Sequence, residues 1–170
     1  SAALQQALED KDLGALQALL IAGLTLKGTK LGADDVPGLF EALLTVDDYG
    51  LQKLLLTHLQ RIEAPPADLA AGYADYLLGA TRPTHYDEVF GELVRLGAEA
   101  SYDAVSGLFR DASDDRLRSR AAQALGDLQD ARAVPLLRQA LYGAEDGRAA
   151  KPYVDALARM GGTEALSSLV

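Results

Sequence analysis

The sequence has no cysteine, no tryptophan, one methionine, two histidines and, counting three Phe and seven Tyr, few aromatic residues among its 170. Without cysteine there can be no disulfide, no thiolate nucleophile and no Cys-ligated zinc. β-Branched residues are also scarce, Val, Ile and Thr together reaching 17 of 170, which argues against a sheet-rich fold. Basic residues are the minority charge, 16 against 25 acidic, for a net charge of -9. Such a field repels a phosphate backbone, so no nucleic-acid partner is expected. No uninterrupted apolar run approaches the ~20 residues that span a bilayer, and no membrane partner is expected either. Ser1 to Asp10 reads as an amphipathic helix rather than a basic and apolar leader, so a cytoplasmic protein is the expectation.

What is present is leucine and alanine, 32 and 30 residues, both good helix formers. Apolar residues recur at spacings of three and four between punctuating Gly, Pro and Asp, and the pattern predicts an all-α protein of ten or eleven helices. The spans are 2–10, 12–23, 35–46, 48–62, 66–79, 85–97, 101–112, 115–128, 131–142, 148–161 and 163–169. Capping residues mark the starts: Asp34 or Asp35 before Pro37, Asp47 or Asp48, Thr84, Ser101, and Asp114 or Asp115. Gly23, Gly79, Gly97, Gly143 and Gly161 mark left-handed stops.

An internal period of 32 residues runs through the second half. Val89, Phe90, Leu93 and Leu96 align with Ala121, Ala122, Leu125 and Leu128, and again with Tyr153, Val154, Leu157 and Met160. After each such segment a second helix begins, Ala133, Val134 and Leu137 matching Ala165, Leu166 and Leu169. The unit is a helix, a tight turn and a helix, too small to hide its own apolar face, so neighbours must stack.

The stretch from Arg118 to Leu137, with Ala121-Ala122, Ala124-Leu125-Gly126, a Gly/Asp turn and Ala133-Val134-Pro135, resembles the HEAT-like repeat of the armadillo-type fold in its short bacterial form. That resemblance implies one helical-repeat domain over 1–170, a right-handed α-α superhelix recognisable over 84–170 and divergent over 1–83. Leu4 to Gly23 also looks like the helix pair of an ankyrin repeat, without its Thr-Pro-Leu-His start. A HEAT-like protein is expected to be a non-catalytic scaffold that binds a protein or peptide in its groove. Phycobilin-lyase-like handling of a ligand or chromophore is an alternative with the same fold. A third is an antitoxin-like inhibitor whose acidic first two thirds (7 basic and 16 acidic residues over 1–109) covers a basic partner.

Chemistry finds little to stand on. His58 falls on the apolar face of its helix, where a buried imidazole with one hydrogen bond is expected, and His85 with Glu88 offers two ligands where zinc needs three or four. The acidic pairs Asp34-Asp35, Asp47-Asp48, Asp87-Glu88, Asp114-Asp115 and Glu145-Asp146 all lie at helix starts, as capping and the helix dipole require. There is no phosphate loop, nucleophile elbow or calcium loop. No catalytic residue, metal ligand or cofactor is therefore assigned. Tyr and Arg are the residue types that anchor interfaces, and Tyr73, Tyr76, Tyr102, Tyr142, Arg116, Arg118 and Arg138 are the candidate protein-binding residues. The chain's last helix, with Leu166, Leu169 and Val170, carries no polar capping repeat, so the expectation is either homo-association, the array continuing in a partner copy through that end, or a chain that is a piece of a longer array.

Overall fold

A computed structural model describes residues 2–25, 31–79, 85–112 and 114–161. Ten α-helices and one 3-10 turn form it, with no strand among the described residues. The all-α expectation is met. The helix expected over 163–169, the homo-association assigned to that end, and the Thr84 cap lie outside the described residues. The chain divides into two compact units, residues 1–86 and 87–170.

The first unit holds α1 (Ala2–Glu9), α2 (Leu13–Thr25), the 3-10 turn Ala33–Asp35, α3 (Val36–Thr45), α4 (Tyr49–Arg61) and α5 (Pro66–Gly79). Helix α3 packs on α1, α4 and α5, and α2 packs on α4. Leu20, Leu39, Leu43, Leu55 and Leu59 are buried between them, the α3 pair and the α4 pair each at the spacing of four that puts both members on one face. His58 is buried in this core, and its Nε2 donates to the Leu20 carbonyl at 2.7 Å, which pins α4 to α2. Replacing His58 by Leu keeps much of the volume but removes that bond. We expect a loss of about 1–3 kcal/mol in chemical denaturation; an unchanged midpoint would mean the bond contributes nothing.

The second unit begins in the first turn of α6 (Tyr86–Leu96) and continues through α7 (Ala98–Asp111), α8 (Asp115–Leu128), α9 (Ala133–Tyr142) and α10 (Gly147–Arg159). Helix α8 is its centre, packed against α7 and α10. Ala121, Ala122, Ala124, Leu125 and Leu137 are buried as the repeat register requires. Gly126 is the contact with α10: a Cβ there would stand 2.8 Å from both the Cα and the carbonyl oxygen of Ala156. The backbones meet too closely for any side chain.

Several helix boundaries differ from the sequence reading, each for a local reason. Helix α7 starts at Ala98 because Gly97, at φ 87°, turns the chain in one residue. Ser101 is then no cap; it is buried, its amide donating to the Gly97 carbonyl at 3.0 Å. Helix α2 runs through Gly23 to Thr25, since an isolated glycine weakens a helix without ending it. Gly126 sits inside α8, and the left-handed stop is Gln129 at φ 54°. Gly143 is right-handed at φ -85°, whereas Gly161 has the expected positive φ of 114°. Asp35 accepts from the Gly32 amide ahead of α3 instead of capping that helix.

Asp48, Asp114 and Asp146 are caps, their carboxylates accepting from amides of the first turns of α4, α8 and α10 at 2.7–3.3 Å. Asp114, Asp130 and Asp146 each precede an arginine by two residues and accept its amide, at an interval of 16 that places one such Asp-x-Arg at the start of every helix from α8 to α10.

Candidate protein-binding grooves

The clearest concave surface of the second unit lies where the end of α7, the start of α8, the second half of α9 and the start of α10 converge. It encloses about 760 Å³. Its aromatic part is Phe109 against Tyr153, edge to face with centroids 5.8 Å apart. Leu136, Gln139 and Ala140 line it from α9, while Arg110, Arg118, Asp115, Glu145 and Asp146 supply charge of both signs. Arg118 is held in place from two directions, by the Ala112 carbonyl and by the Asp115 carboxylate 3.3 Å away. Beside this groove a smaller recess of about 470 Å³ contains Arg116, Ser119, Arg148 and Pro152 and shares Tyr153.

Of the residues singled out from sequence, Arg116 and Arg118 lie in these two recesses. Tyr142 is on the surface, 70% exposed, and lines neither. Arg138 is half-buried on α9. Tyr73 and Tyr76 do not reach a surface at all, being 1% and 0% exposed. Their spacing of three sets both on the inner face of α5, where they pack as large core residues. Tyr102 is also buried, and its role is local. Its hydroxyl donates to the Arg132 carbonyl at 2.9 Å, and the Arg132 guanidinium stacks 3.9 Å above its ring.

Arg132 also closes on Asp130, with guanidinium nitrogens 2.6–3.1 Å from the carboxylate oxygens. The Arg132 side-chain hydrogen bonds hold the Asp130 carboxyl below its ordinary range, partial burial opposing them. A carboxylate with a depressed pKa stabilises the fold above its unfolded value, near 4, and that contribution is lost as pH falls through the folded value. In Arg132→Gln, the Asp130 titration followed by NMR is expected to move up, and acid unfolding to lose part of its slope below about pH 4. An unmoved titration would show that Arg132 is not the cause.

The Tyr102–Arg132 pair is one of several ties that join consecutive repeats. Arg120 reaches Asp87, Arg159 lies 3.6 Å from Asp127, and Gln129 donates to the Arg159 carbonyl at 3.3 Å. The two partners are 30–33 residues apart in each case, close to the 32-residue period. Arg120 in the body of α8, Arg132 at the head of α9 and Arg159 in the last turn of α10 are thus engaged in holding repeats together.

Sequence reasoning missed Phe109, Leu136 and Gln139 as groove residues, and left Tyr153 outside the candidates. A signal for Tyr153 existed. The two equivalent positions, Val89 and Ala121, are small and fully buried, so a Tyr in that register cannot be wholly accommodated. It is half-buried and turns its ring to Phe109.

The first unit has a groove of its own, about 700 Å³ between α3 and α5. As for metal chemistry, no three His, Cys, Asp or Glu side chains converge among the described residues. His85, at φ 57°, precedes α6 and stacks on Tyr49 with centroids 4.2 Å apart, so it does not share a helix face with Glu88. No helix among the described residues is long and apolar enough to cross a membrane. Residues 102–170 match the family model for HEAT repeats. No curated protein and no solved structure matches the chain.

Proposed function

We propose that this chain, which carries HEAT repeats over residues 102–170, is a non-catalytic scaffold that binds a segment of another protein in the groove between α7, α9 and α10. HEAT repeats generally mediate protein–protein interaction, their stacked hairpins offering long concave faces. The observation that carries the reading here is the composition of the groove: an aromatic pair beneath a rim that mixes arginines with carboxylates. Aromatic anchors inside a polar rim are the anatomy of a protein interface. A mixed rim selects a polypeptide, which can present both charges, over a polyanion.

The test places a photo-crosslinking residue at Gln139, exposed and lining the groove, and at Glu99, exposed and away from it. Irradiation in native lysate is expected to give a discrete adduct from position 139 and none from position 99, and Ala149→Arg is expected to abolish it. Equal labelling from both positions, or a purified protein loaded with a coloured or small-molecule ligand and no protein adduct, would overturn the reading.

A further inference from the structure

We infer that the α3–α5 groove of the first unit docks a short basic amphipathic helix from a partner protein, its apolar face on the groove floor and its Lys or Arg side chains on the acidic rim. The inference rests on the scaffold reading and gives it a second site with a stated partner chemistry. Three observations carry it.

The groove is apolar, with Pro37, Leu44, Pro65 and Ala71 exposed along it above the buried ring of Phe40. Phe40 lies across α5 at Gly72, where a Cβ would stand 2.2–2.6 Å from the ring. Glycine at 72 therefore lets the ring close the bottom of the groove, supported edge-on by Tyr73 at 5.2 Å. Leu44, 43% exposed, stands at one end without cover.

The rim is acidic on both sides. Asp34 and Glu41 rise from the α3 side, Asp68 and Asp75 from α5, and all four are exposed. No Lys or Arg lines the groove among the described residues. Residues 1–86 as a whole hold 6 basic and 11 acidic side chains, so the surrounding field has the same sign. Four like charges bordering apolar surface repel one another, and a cationic partner relieves that repulsion.

The shape suits a helix. The lining runs from Val36 to Leu44 on α3 and from Pro65, the residue ahead of α5, to Asp75 within it, about 12–15 Å at 1.5 Å per residue. Two to three turns of a third helix fit that length, presenting anchors at i, i+3 or i+4, and i+7.

The experiment uses a labelled synthetic helix about 14 residues long, with leucines at those anchor positions and lysines flanking them, titrated into the full chain by fluorescence anisotropy. Binding is expected, weakening as salt rises. Joint replacement Asp34→Asn, Glu41→Gln, Asp68→Asn and Asp75→Asn is expected to weaken it at least about tenfold, as is Ala71→Arg on the groove floor. A control with the same change of net charge, Glu9→Gln, Asp47→Asn, Glu99→Gln and Asp111→Asn, is expected to stay within about twofold. All eight carboxylates are exposed, so both quadruple variants should keep the wild-type circular dichroism and melting. No binding to the wild type, equal weakening in the two quadruple variants, or equal affinity for a peptide with glutamate in place of lysine would overturn the inference. If that happens while position 139 still yields its adduct, the scaffold reading survives and only this groove is lost; if position 139 is silent too, both fall.

Discussion

Gly126→Ala is expected to lower the stability of the second unit by about 1–3 kcal/mol, whereas the same exchange at Gly91 should raise it by about 0.5–1 kcal/mol. Both glycines are helical, and in a helix interior alanine is ordinarily the better residue because it restricts the unfolded chain and has the higher propensity. At Gly91 nothing lies within 4 Å of the added methyl group, so the ordinary gain applies. At Gly126 the new carbon meets Ala156 Cα and its carbonyl oxygen at 2.8 Å, and neither is the end of a flexible side chain. The helices must separate, and the buried layer of Ala122, Leu125 and Leu157 loosens with them. Gly126→Val should cost more still, its branched side chain adding to the overlap. Thermal melts of the two alanine variants decide the matter, because a common sign would mean that α8 and α10 do not approach as closely as described.

Tyr76→Ala is expected to cost about 3–5 kcal/mol, while Tyr142→Ala leaves the melting midpoint within about 0.5 kcal/mol of wild type. The contrast follows from position. Tyr76 is wholly buried on the inner face of α5 and its removal opens a large cavity, but Tyr142 stands 70% exposed at the end of α9 with little to lose. Any effect of Tyr76→Ala on partner binding should track unfolding and vanish when folded protein alone is compared. Guanidinium titrations of both variants, fitted with a common slope, test this; a Tyr76→Ala protein as stable as Tyr142→Ala would place the α5 tyrosines on a surface after all.

These two tyrosines also show where sequence reasoning reaches and where it stops. The spacing that put Tyr73 and Tyr76 on one face of α5 was legible, as were the helix itself, the register of Ala121, Leu125 and Leu137, and the acidic pairs 47–48 and 114–115 from which Asp48 and Asp114 emerge as the caps. Which face looks inward depends on neighbours that α5 acquires only after folding, and Tyr suits both sides because its ring is apolar and its hydroxyl is not. The roles of glycine were similarly ambiguous. Gly97 turns the chain, Gly126 admits a neighbouring backbone and Gly23 does neither, yet all three look alike in one sequence. Grooves were least legible: Phe109 and Tyr153 are 44 residues apart, and only stacking of the repeats brings their rings together.

The Asp-x-Arg at the head of α8 returns in identical form at the head of α10, 32 residues later. Excising 115–146 would splice Asp114 directly onto Gly147 and recreate the same junction, ahead of the same Arg148, with a carboxylate already in place to receive the first free amides. Duplicating that segment would do likewise. A gene encoding such a chain can therefore lengthen or shorten its product by one hairpin in a single recombination event, without inventing new sequence at the seam.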